Sequence, residues 1–169
     1  MRCVVLPVAL ALSVVTAVAR TAAETDDRPL RAAYCVGVFE AQIAANKAQP
    51  PSFSYCEQWQ SKGFPSQAAC NAQGQRIGLS SFQSHLDLYT QYLSVHLRTM
   101  SPYAKAQVAV RQKQGGLDTR AMRKREATAQ EKKCIGACPG KEVSSCVAGC
   151  YDREHPTDAS VIRCGDGPF

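Results

Sequence analysis

The chain has 169 residues, nine of them cysteine, with 20% charged residues and a formal net charge of +6. That length holds one domain with its own core. A charge excess of this size does not by itself point to nucleic acid, and no segment after residue 23 is apolar enough to span a bilayer.

Residues 1–23 have the order of a secretory signal peptide. Met1-Arg2 is a basic head, and Cys3 to Ala19 is apolar except for Ser13 and Thr16. Ala17-Val18-Ala19 and Thr21-Ala22-Ala23 each offer small residues to a signal peptidase, so cleavage is expected after Ala19 or Ala23. A membrane anchor fits less well, because the run is shorter than the roughly 20 residues of a span and Pro7 interrupts it. Removal of residues 1–23 leaves 24–169 as a single domain with eight cysteines and a net charge of +4. An even cysteine count in an exported chain predicts four disulfides and a periplasmic or secreted address.

Helical periodicity then dominates. Asp26-Asp27-Arg28-Pro29 is a helix start, and Leu30, Tyr34, Val38, Phe39 and Ile43 follow at helical spacing, predicting a helix over 28–48 that Pro50-Pro51 stops. Residues 49–66 read as a loop that carries Phe53, Tyr55, Trp59 and Phe64. Those rings are either a lid over helix ends or a sticky surface for a partner. A short helix is expected from Pro65-Ser66 to Gln73, with Gly74 and Gly78 as punctuation. Ser80-Ser81 caps the clearest helix, 81–99, whose stripe of Phe82, Leu86, Tyr89, Leu93, Leu97 and Met100 is expected to form the main core face against 28–48. Ser101-Pro102 starts another helix that Gly115-Gly116 is expected to end. Asp118 is expected to cap a polar helix to Cys138, and a last helix covers about 141–153 before an irregular tail. Nothing alternates as a strand does. The fold class is therefore all-α, a small disulfide-stapled bundle with a C-terminal helical hairpin at 118–153.

Cys134 and Cys138 lie one helical turn apart, and so do Cys146 and Cys150. If the chain reverses at Pro139-Gly140, Cys134 faces Cys150 and Cys138 faces Cys146 as a two-rung ladder. The flanking helices have few apolar residues, so crosslinks would hold them docked. Cys56 lies inside the aromatic loop and Cys70 just after it, a local pair. Cys35 and Cys164 then pair by elimination. A four-cysteine metal site and a redox pair are the alternatives; export disfavours free thiols, and the x3 spacer differs from the usual redox Cys-x-x-Cys.

The paired Cys-x3-Cys resembles the twin helical hairpins of small import chaperones and assembly factors of the mitochondrial intermembrane space. Those proteins have a longer spacer than the seven residues here, so the resemblance implies hairpin geometry and not function. Tyr34-Cys35-Val36-Gly37-Val38, the late cysteine cluster and the Cys164 to Phe169 tail resemble small Cys-rich exported proteins of alphaproteobacteria, which implies a periplasmic address and no activity.

Charge is polarised along the chain. From Lys105 to Lys141 ten basic residues stand against three acidic ones. This run is either a solvated face or a dock for an acidic partner, with Arg120, Arg123, Lys124 and Arg125 at its centre and Trp59 and Phe64 of the aromatic loop as the second candidate surface. Single-strand binders interleave aromatics for stacking, and none follows Tyr103 within the run, so nucleic acid is not expected. His85, Tyr89, Tyr92 and His96 share a helical stripe, but the histidines are about 16 Å apart along the axis, too far to share one ion. No nucleophile elbow, zinc-protease motif, phosphate loop or haem motif is present, and no catalytic residue, metal or cofactor is assigned. The expectation is an exported, non-enzymatic binding protein; a metal or redox accessory protein using the late cysteines and a small enzyme are the alternatives.

Overall fold

The computed structural model describes residues 27–48, 52–138 and 143–167. The expected signal peptide, Pro50-Pro51, the reversal expected at Pro139-Gly140 and Phe169 lie outside the described residues. Among the described residues six helices run in order: α1 Arg28–Ala48, α2 Gln67–Leu97, α3 Pro102–Lys124, α4 Ala129–Ile135, α5 Val143–Tyr151 and α6 Pro156–Arg163. Two 3₁₀ turns, Ser54–Gln58 and Gln60–Lys62, precede α2, and a third, Cys164–Asp166, follows α6. Among the described residues there is no strand, and no helix is long and apolar enough to cross a membrane.

Local chemistry sets the helix starts. Ser66 Oγ accepts from the Ala69 amide at the head of α2, and Ser101 Oγ accepts from the Ala104 amide ahead of Pro102 in α3. At α4, Thr128 and Glu131 form a reciprocal capping box.

The bundle is built around α1, with α2 and α3 packed on it. Ala32, Ala33, Cys35, Val36, Gly37, Val38, Phe39 and Ala41 are all buried. The predicted stripe of α2 meets this face: Tyr89 and Leu93 are buried, with Phe82, Leu86, Leu97 and Met100 around them. Phe39 stacks against both His85, at 5.0 Å, and Tyr89, at 6.0 Å. The central element is thus α1 rather than the 81–99 stripe. Its inward residues are small, so the helices approach closely and bury little area per residue. Crosslinks offset that deficit.

The four disulfides are Cys35–Cys164, Cys56–Cys70, Cys134–Cys150 and Cys138–Cys146, the pairing expected from helix spacing, proximity in the loop and elimination. Cys35–Cys164 spans 129 residues and ties the end of the chain to the central helix. In the chain-entropy description a loop of that size contributes about 5 kcal/mol.

Three expected boundaries are corrected. First, α2 is continuous through Gly74 and Gly78, not split at Ser80-Ser81. Gly74 lies beneath the aromatic loop, where a Cβ would sit 2.5 Å from both the Phe53 ring and the Tyr55 hydroxyl. Second, α3 runs through Gly115-Gly116, and the polar helix expected over 118–138 instead breaks at residues 125–128. The glycines mark a helix crossing, not an end: a Cβ on Gly37 would lie 1.8 Å from the Gln112 carbonyl oxygen. Burial at the crossing outweighs the roughly 1 kcal/mol that each glycine costs a helix. Third, the tail folds as α6, with Pro156 in its first turn and Asp158, Ala159 and Val161 buried.

Candidate partner-binding surface

The aromatic loop is closed down on α2. Its Cys56–Cys70 bond fixes one end, the Phe53 amide donates to Asn71 Oδ1 at 3.1 Å, and the Phe53 and Tyr55 rings pack 5.3 Å apart over Gly74. Trp59 and Phe64 are half-buried, joined by the Phe64 amide donating to the Trp59 carbonyl. The loop therefore covers α2 at Gly74.

The four candidate basic residues divide. Arg120 and Lys124 are exposed on α3. Arg123 Nη1 donates to Gln42 Oε1 of α1 at 3.1 Å, which lays its side chain across the α1–α3 seam. Arg125 is turned inward and belongs to no docking surface. Its Nε donates to Asp158 Oδ2 at 2.8 Å, and its Nη1 and Nη2 donate to the two carboxylate oxygens of Glu131 at 3.0 and 3.2 Å. The guanidinium also lies 5.3 Å from the Tyr151 ring centroid. Arg125 therefore joins the end of α3 to α4, α5 and α6. Glu131 is only 2% exposed, and hydrogen bonding from Arg125 nevertheless holds its carboxyl below the usual range, so it is ionised. The same contacts hold the Arg125 guanidinium charged.

Two other chemistries can be placed. Glu131, Glu154 and His155 bring ligand atoms within 4.8 Å of one another, but Arg125 already engages both oxygens of Glu131, so a cation would compete with a guanidinium. The late cysteines are paired in two disulfides, and in that state they offer no thiolate to a metal or to redox exchange.

What the arrangement presents outward is a ridge on α3. Tyr103, Val110 and Leu117 are 76%, 60% and 45% exposed. They follow one another at seven-residue intervals, a drift of only about 20° per step around the helix. Ala106 and Ala121 lie in the same stripe by helix geometry and are also exposed. Lys113, Arg120 and Lys124 flank one side, all exposed and with no ion pair among the described residues. The opposite face of α3, with Val108, Gly115, Gly116 and Thr119, is buried. The apolar ridge is the part that sequence reasoning missed. Its seven-residue spacing was legible, but a helix break expected at Gly115-Gly116 separated Leu117 from Tyr103 and Val110.

No family model, curated protein or solved structure matches the chain.

Proposed function

We propose that the chain is an exported, non-enzymatic binding protein, periplasmic or secreted, that docks an acidic protein partner on the outer face of α3. The observation that carries this reading is the exposed Tyr103–Val110–Leu117 ridge beside the unpaired cations Lys113, Arg120 and Lys124. An apolar strip supplies area to bury, and flanking cations steer and orient a partner of opposite charge. Isolated exposed apolar residues are ordinary on any surface; three in one register, edged by one sign of charge, are a pattern and not a scatter. The export signal read at residues 1–23 and the four disulfides support an oxidising compartment.

The test is affinity capture from a periplasmic extract with three forms of the protein. These are the native chain, the charge-reversed Lys113→Glu/Arg120→Glu/Lys124→Glu, and the ridge variant Val110→Asn/Leu117→Asn. The reading expects an acidic protein retained by the native chain, released as salt is raised, and lost from both variants. Retention of the same proteins by all three forms would show the face to be merely solvated.

A further inference from the structure

On the other flank of α3 an open cleft of about 540 Å³ lies between the start of α1, the middle of α3 and the start of α6. One wall is rigid. Tyr34 Oη donates to Asp118 Oδ2 at 2.9 Å, and Gln114 Nε2 donates to Asp118 Oδ1 at 2.6 Å, so both oxygens of that carboxylate are engaged from within the chain. Burial, then the Asp118 carboxylate beside it, push the Tyr34 phenol far above its ordinary value, and it stays a neutral donor.

Three guanidinium groups and two carboxylates line the cleft. Arg163 is paired with Asp152. Arg31 and Arg111 have no ion pair or side-chain hydrogen bond among the described residues, although Asp27 also lines the cleft. Leu30 and Pro156 add apolar surface to the same lining. The outward ridge and its cations lie elsewhere on α3.

We propose that this cleft binds a small organic carboxylate, its charged end between Arg31 and Arg111 and its apolar body against Leu30 and Pro156. The guanidinium fork matches a carboxylate in shape as well as charge, and two forks in one cleft lining, neither ion-paired among the described residues, can share one carboxylate. The volume lies in the range that encloses a small molecule. Asp118 does not compete for the arginines, because Tyr34 and Gln114 already engage it. The apolar lining selects against a bare inorganic anion. The same chemistry is offered by a free acid and by the terminal carboxylate of a peptide.

The experiment uses the full disulfide-bonded chain and follows binding by calorimetry and by amide chemical shifts. The probes are 3-phenylpropionate, its amide, inorganic phosphate, and the tripeptide acetyl-Ala-Ala-Phe as acid. The expected result is binding of 3-phenylpropionate or of the peptide acid, with shifts in α1, α3 and α6; the tighter of the two identifies the source of the carboxylate. Arg111→Gln weakens the acid about tenfold, because one of two charge-assisted pairs is lost, and the amide binds more weakly still, because it offers no charge to either arginine. Arg76→Gln, at an exposed residue of α2 outside the cleft lining, leaves the affinity unchanged. Both arginines are exposed, so circular dichroism of the variants is expected to match the native chain. The proposal is overturned if neither acid binds, if acid and amide bind equally, if Arg31→Gln and Arg111→Gln both bind like the native chain, or if phosphate displaces the acid at equal concentration.

Discussion

A Cβ built on Gly115 would lie 2.0 Å from the carbonyl oxygen of Tyr34, so α3 and α1 touch backbone to backbone. Gly37 makes the reciprocal contact with Gln112. No side chain larger than hydrogen fits either position unless the helices separate, and separation would open the packing of the whole bundle. Gly115→Ala and Gly37→Ala are each expected to destabilise by about 3 kcal/mol, the scale of overpacking against rigid backbone. Gly78 provides the control. Nothing lies within 4 Å of its built Cβ, and it sits inside α2, so Gly78→Ala is expected to stabilise by about 0.5–1 kcal/mol. Urea midpoints for the three variants measure the contrast.

Glu131 and Arg125 make the fold sensitive to acid. The folded Glu131 carboxyl titrates below its unfolded value of 4.5. Its contribution is therefore complete above that value and is lost as pH falls through the lowered folded value. Thermal midpoints of the native chain are expected to fall steeply below about pH 4.5, whereas Glu131→Gln starts less stable at pH 7 and has a shallower acid limb. If the two acid limbs have the same slope, the acid sensitivity lies in other carboxylates.

Tyr89 joins α2 to the end of the chain: its hydroxyl, fully buried, donates to the Cys164 carbonyl at 3.0 Å. Burial pushes the phenol up to about 12. The folded state thus disfavours ionisation, and stability is lost as pH rises from 10.0, the unfolded value, through the folded one. Tyr89→Phe leaves the carbonyl without this donor and is expected to cost about 1 kcal/mol at pH 7. Ultraviolet titration is expected to show one tyrosine fewer ionising late.

The disulfides are expected to differ in weight. Cys35→Ser/Cys164→Ser frees a loop of 129 residues and is expected to cost about 5 kcal/mol, loosening α1 against α6. Cys138→Ser/Cys146→Ser removes the inner rung, 8 residues apart, while Cys134–Cys150 still spans the same reversal. Its cost is expected to be about 2 kcal/mol at most. Because α3 packs directly on α1, hydrogen exchange after loss of the inner rung is expected to rise in α4 and α5 and stay unchanged in α3. Exchange rising equally in α3 would mean that the hairpin supports the basic helix.

The amino-acid sequence by itself determined what depends on neighbours within a turn or two of helix. The caps Ser66 and Ser101, the start of α1 and the i,i+4 geometry of Cys134, Cys138, Cys146 and Cys150 are of this kind, and they were enough for the all-α class and the two hairpin disulfides, while Cys56–Cys70 came from proximity in the loop and Cys35–Cys164 by elimination. Only the tertiary structure decided whether Gly74, Gly115 and Gly116 end helices or admit a neighbour. A glycine's local preference is to break a helix, and only the atoms packed over it reverse that outcome. The same holds for the surface. Arg120, Arg123, Lys124 and Arg125 look alike as a run of charge, but Glu131 and Asp158 arrive from α4 and α6 to draw Arg125 inward while Arg120 and Lys124 stay in solvent. Coulomb energy depends on distance in space, and for these residues that distance is set by how the helices pack.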